Sequence, residues 1–140
     1  MIEFAKNPCT SHWALVIVMI SAAFGHVAVA GEADVVTATA RAASDGSWTI
    51  SVSVRHADAG WDHFANRWEV LSSSGDVLAT RVLAHPHENE QPFTRSLSGI
   101  VVPDGMTEVV LRAHDSVHGY GGTEFPLRLR SDSQSGAVGN

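Results

Sequence analysis

The sequence predicts an all-β fold, a seven-stranded antiparallel sandwich, and three observations carry that prediction. Short runs rich in β-branched and aromatic residues recur along the chain, separated by turn clusters of Gly, Pro, Ser and Asp. Several of these runs alternate apolar and polar residues cleanly, which marks a strand with one buried face. No heptad, internal repeat or long amphipathic stretch competes with that pattern.

The first strand is expected over 34–42, where VVTATARA is rich in β-branched residues, and Ser44, Asp45 and Gly46 supply its turn. The second, WTISVSVRH, places Trp48, Ile50, Val52 and Val54 on one face and Thr49, Ser51, Ser53 and Arg55 on the other. A third strand follows HADAGWDH, with Phe64, Trp68 and Val70 sharing a face; a large aromatic there is expected to fill the core centre. The turn at 72–76 returns the chain as VLATRVLAH, the fourth strand. Pro86 and Pro92 then bracket HPHENEQP, which must leave the sheet because proline donates no ladder hydrogen bond. FTRSLSGI is the fifth strand. TEVVLRAH is the sixth, with Val109, Leu111 and Ala113 inward. FPLRLR is the seventh, an edge strand by its Pro126. Seven short strands in about a hundred residues fit an Ig-like or fibronectin-III-like sandwich.

Residues 1–30 read as a secretory signal peptide. A polar start with Lys6 precedes the apolar run ALVIVMISAAF, and Ala28-Val29-Ala30 offers small residues at the cleavage site. That run is about half of the roughly 20 residues a membrane span needs. Gly31 follows the expected cut, so no cysteine is available there for lipid attachment. The sandwich is expected over 31–130, with a disordered, almost apolar-free tail at 131–140. Secretion or periplasmic residence follows, with no membrane insertion after cleavage.

Composition narrows the chemistry further. Cys9, the only cysteine, lies in the leader, so the mature domain has no disulfide and no thiolate metal site. Past the leader, fourteen Asp and Glu face eight Arg, a charge of −6 with neutral histidines. Nucleic acid and anionic lipid both want a basic face, and this balance argues against them.

Six histidines remain in the mature domain, in three pairs: His56 and His63, His85 and His87, His114 and His118. Consecutive strands reverse direction, so connections alternate between the two ends of the sandwich. The second-to-third, fourth-to-fifth and sixth-to-seventh connections share one end, and they hold all three pairs. Imidazole is the commonest metal-ligating side chain, and it favours copper(II), zinc or nickel. The expected ligands are His85 and His87 as an i, i+2 clamp, then His114 and His118, then His63. His56, in phase with the inward face of the second strand, reads as a core-edge histidine. Asp58, Asp62, Glu88, Glu90 and Asp115 lie beside the histidines; with them they could make a nitrogen/oxygen metal site, and they also suit the task of holding a second ring nitrogen. Copper or zinc is thus the expected cofactor, for carriage, storage or sensing. The same end carries Trp61, Asp62 and Tyr120, which would serve instead as contacts for a protein or envelope component. Catalysis finds little support: no nucleophile elbow surrounds Ser96 or Ser116, and HExxH is absent.

The segments GWDHFANRWEV, LAHPHENEQPFTRSLSGI and LRAHDSVHGYGG together resemble a group of small secreted bacterial proteins. The resemblance covers most of residues 48–130. It implies export and a single domain and brings no activity or ligand set with it. At fold level the chain also looks like Ig-like periplasmic metal proteins. It lacks the cysteine of superoxide reductases and the mature N-terminal histidine of Ig-like copper carriers, so neither function transfers.

Overall fold

A computed structural model describes residues 31–130, the span assigned to the sandwich; the leader and tail readings fall on residues outside it. Seven strands follow in order: β1 (Asp34–Ala42), β2 (Trp48–Arg55), β3 (Ala65–Leu71), β4 (Val77–Val82), β5 (Phe93–Ile100), β6 (Glu108–Asp115) and β7 (Phe125–Arg128). They form two antiparallel sheets, β1-β2-β5 and β4-β3-β6-β7, packed as a sandwich. Every neighbouring pair is antiparallel, so each strand buries one face and leaves the other to solvent or polar partners.

Side-chain parity sets what lies between the sheets. From β2 come Ile50, Val52 and Val54; from β3, Ala65, Trp68 and Val70; from β6, Val109, Leu111 and Ala113. Trp68 is fully buried at the centre, as its place in the third strand predicts. On the outer face of β2, Thr49, Ser51 and Ser53 bond the hydroxyls of Ser98, Ser96 and Thr94 on β5, so this face is a hydroxyl ladder. Pro126 sits on β7 at the free edge of its sheet, opposite Val110.

The last connection explains its own glycines. Thr123 donates its N–H to Asp34 Oδ1 (2.7 Å) and accepts one from Val35 at its carbonyl (2.9 Å), which ties the segment before β7 to the start of β1. A side chain at Gly122 would collide with the Ala33 carbonyl, so close backbone approach fixes that residue. Gly119, with φ of 75°, closes the tight turn after β6 through paired backbone bonds with Asp115.

Candidate metal centre

The connections β2–β3, β4–β5 and β6–β7 meet at one end of the sandwich, as the alternation of strand direction requires. Their mutual contacts run through side chains. The ligand atoms of His56, His63 and Asp115 all lie within 4.8 Å of one another. His118 joins them: its Nδ1 is 3.2 Å from His63 Nε2 and 3.2 Å from Asp115 Oδ1, and His63 Nε2 is 3.2 Å from the same oxygen. Donor atoms around a tetrahedral ion with bonds near 2.0–2.1 Å stand about 3.3 Å apart. The triangle of two imidazole nitrogens and one carboxylate oxygen has that spacing.

His56 completes the group from beneath. It follows β2 in phase with Val52 and Val54, so its ring turns inward, and its side chain is fully buried. Its Nδ1 lies 2.6 Å from Asp58 Oδ1, and since a carboxylate only accepts, Nδ1 carries the proton. That leaves a lone pair on Nε2, an atom that is buried and, among the described residues, has no hydrogen-bond partner. Carboxylate orientation of one ring nitrogen is the usual support for metal ligation by the other.

Asp115 is placed by the same rule on β6. It lies in phase with Val109, Leu111 and Ala113 and is fully buried. Its Oδ1 accepts the amides of Val117 (2.9 Å) and His118 (2.7 Å), which curls the next residues so that His118 comes back over the carboxylate. Burial opposes its ionisation, but those two amides, with the nearby His118 and His56 imidazoles, outweigh it and hold the carboxyl below its ordinary range. Its Oδ2 is buried without a partner among the described residues. Two orphaned buried atoms, His56 Nε2 and Asp115 Oδ2, sit in one cluster of donors. Leaving each unmade costs about 1–3 kcal/mol, and a cation would satisfy both.

The ligand set therefore differs from the one expected at two pairs. His114 does not join it, because one step along a strand reverses the side chain and His114 emerges on the outer face of β6. There its Nδ1 bonds Asn66 Oδ1 at 2.7 Å, and its ring meets Tyr120 edge-on. His85 and His87 stand with ring centroids 4.6 Å apart, yet neither belongs to the donor group. Both lie beyond β4, which ends at Val82, and there each ring turns to a partner other than a shared ion. His85 Nδ1 turns to the Pro86 carbonyl, and His87 stacks on Phe93 at 3.9 Å. His63 and His118 stand in the donor group; His56, read as a core-edge histidine, also belongs to it, and so does Asp115, one of the carboxylates named beside the histidines.

The expected contact residues also divide. Trp61 is 68% exposed and leans on Phe64, while the Asp62 side chain is exposed and only its carbonyl is used, by Ser116. Tyr120 is not a free probe. Its hydroxyl donates to Glu69 Oε1 (2.5 Å) and accepts from Arg67 Nε (2.8 Å), and the Arg112 guanidinium lies 3.9 Å above its ring. Arg112 also donates twice to Glu69 Oε2, so this outer-face network pins the loop that carries His118.

His87 has a different consequence. Burial, followed by the charges of Arg95 and His85, holds its pKa below the ordinary histidine value of 6.5. The unfolded chain then binds this proton more tightly than the fold does, so stability rises with pH. The contribution is complete above about pH 6.5 and is lost as pH falls through the depressed value. In a chelator-treated, phosphate-free buffer the melting temperature is expected to drop between pH 7.5 and 5. His87→Phe should flatten that slope, with His114, shifted the same way by burial and then by Arg67, retaining part of it. A slope unchanged in the variant would refute this account.

No family model and no solved structure matches the chain. A curated protein of Halomicrobium mukohataei named "Putative lipoprotein" is 43% identical over 107 residues. The aligned stretch is 76% of this chain and 50% of that protein, so the chain spans about half the length of the relative it matches.

Proposed function

We propose that this domain is an envelope-associated module that binds one divalent transition metal ion, copper(II) or zinc(II), through His56, His63, His118 and Asp115. The observation that carries the reading is the buried, unpartnered Nε2 of His56, its other nitrogen held by Asp58 and its ring packed 4.8 Å from His63. Three imidazoles and a carboxylate form a nitrogen/oxygen set of the kind that suits both ions, with copper(II) bound more tightly on the Irving–Williams order. The relative's name, a lipoprotein, supports placement in the cell envelope.

The role that fits is carriage, storage or sensing rather than turnover. His56 and Asp115 are buried with 0% side-chain exposure, whereas His63 and His118 are 17% and 35% exposed. An ion would reach the buried pair through two ligands on loops, a layout suited to loading and release. When bound, the ion would supply positive charge to Asp115 Oδ2 and a partner to His56 Nε2; the chain's part is to hold these atoms together and exclude water beneath them.

Equilibrating the domain with zinc, copper(II) or nickel at pH 7.5, followed by gel filtration and elemental analysis, tests the reading. One ion per chain is expected, with a melting temperature that rises with the logarithm of free ion concentration above Kd; at 100 times Kd the stabilisation is about 2.7 kcal/mol. Retention of no ion near stoichiometry would overturn it. That result would favour the second reading, a non-catalytic module that grips a protein or envelope component through the exposed indole of Trp61.

A further inference from the structure

The pair His85 and His87, set aside from the metal centre, faces a different kind of wall. A cavity of about 160 Å³ opens between β4, the segment that follows it and β5, and Arg81, His85, His87 and Arg95 line it with Val82 and Leu83. Its polar groups are cationic or neutral donors, in a chain whose net charge is −6. Two of them are left unmade. Arg81 Nε is buried and, among the described residues, has no hydrogen-bond partner. His87, whose side chain is 3% exposed, makes no hydrogen bond at either ring nitrogen among the described residues, the Asp58 carboxylate standing off at 3.9 Å from Nδ1. Arg95 is half satisfied: Nη1 and Nη2 reach the Glu90 carboxylate at 3.2 and 3.0 Å, and Nη1 also reaches the Thr94 carbonyl.

Buried donors without acceptors are expensive, and a guanidinium nitrogen among the most so. A cation would worsen this wall, since it would stand against two arginines. We infer that the cavity is a binding site for a small tetrahedral oxyanion, inorganic phosphate or sulfate, held by Arg81, Arg95 and His87. An oxyanion offers acceptors to Arg81 Nε and His87 together, and guanidinium pairs with such oxygens through directed, charge-assisted bonds. The size agrees: ligand pockets for drug-sized molecules run about 300–1,000 Å³, and this one has room for an ion of a few atoms. Burial first, and then the charges of Arg95 and His85, hold the affinity of His87 for a proton below its ordinary level, so the ring faces the cavity as a neutral imidazole with one N–H to donate.

The test is a thermal-shift and calorimetric titration of the domain with sodium phosphate and sodium sulfate, ionic strength being held constant with chloride. Both oxyanions are expected to raise the melting temperature and to give a saturating calorimetric isotherm, where chloride does neither. Arg81→Gln is expected to weaken the apparent affinity about tenfold or more, the worth of one charge-assisted bond. Arg95→Gln, at a partly exposed position, is expected to weaken it less and keeps the test open should Arg81→Gln fail to melt cooperatively. A shift no larger than that of chloride, or one unchanged in the arginine variants, overturns the site. Co-sedimentation with phosphatidylglycerol vesicles in the absence of any response to free phosphate would assign the cationic wall to a lipid headgroup and overturn the free-ion site. Zinc retention measured in the same variants is expected to be unchanged, so failure here is distinguishable from failure of the metal centre.

Discussion

Alanine at His63 is expected to reduce zinc or copper(II) affinity by at least about 100-fold, because even the loss of a supporting partner costs 10- to 100-fold. His63 Nε2 is one corner of the triangle, 3.2 Å from both Asp115 Oδ1 and His118 Nδ1, and its ring also packs on His56. Removing it breaks the triangle and opens the buried carboxylate to water. Asp115→Asn should do comparable damage by a different route, replacing a charged acceptor with a group that has one oxygen and a competing amide. His85→Ala combined with His87→Ala is expected to leave affinity within about threefold of the parent, since neither ring reaches the donor group. Competition against a chromophoric chelator measures all three. If the double variant at 85 and 87 lost the metal while His63→Ala kept it, coordination would lie on the HPH segment and the present ligand set would be wrong.

The strands could be read from the sequence because alternation in a half-buried sheet is imposed by burial itself. The seven expected runs match the seven strands, and the end of the sandwich that gathers the histidines follows from strand reversal alone. The members of the candidate donor group were partly legible too: the parity that places His56 at the core edge, continued one step past the apolar run of β6, also reaches Asp115. In β2 the inward series Ile50, Val52, Val54 leads to His56, and in β6 the series Val109, Leu111, Ala113 leads to Asp115, not to His114. Counting histidines drew attention to HDSVH as a pair, whereas the backbone presents its first histidine outward and its aspartate inward. For His85 and His87 no such rule exists. Their orientation is decided where the chain leaves β4, through the Gln91 side chain, which accepts the His56 amide (3.0 Å) and donates to the His87 carbonyl (3.1 Å), contacts that sequence periodicity does not encode. The cationic cavity was illegible for a related reason: Arg81 and Arg95 come from edge strands of different sheets, and only the packing of one on the other brings them together.

The second large effect is expected at Asp58, a residue that touches no ion in the proposed centre. Its carboxylate is fully buried and serves three donors: the ring of His56 at 2.6 Å and the Ala65 amide at 3.0 Å on Oδ1, and the His87 amide at 2.6 Å on Oδ2. These belong to the end of β2, the start of β3 and the β4–β5 connection, so one side chain sutures three parts of the histidine end. Asp58→Ala strands two amides and an imidazole N–H in the interior, a loss of about 3–5 kcal/mol by the measure of broken buried pairs. A lowered urea midpoint at constant m would report it. Asp58→Asn keeps the shape and is the informative variant for function. Its oxygen can accept from His56 or from His87, not from both sides, so the ring that offers Nε2 to the ion loses its fixed tautomer. A 10- to 100-fold loss of metal affinity is expected in a protein that still folds. If Asp58→Asn were folded and bound zinc as tightly as the parent, His56 would not be a ligand, and the buried lone pair on its Nε2 would need another explanation. A loss of affinity with Ala65 and His87 amide signals unmoved would instead locate the effect at the imidazole, where the hydrogen bond to Asp58 decides which nitrogen faces the ion.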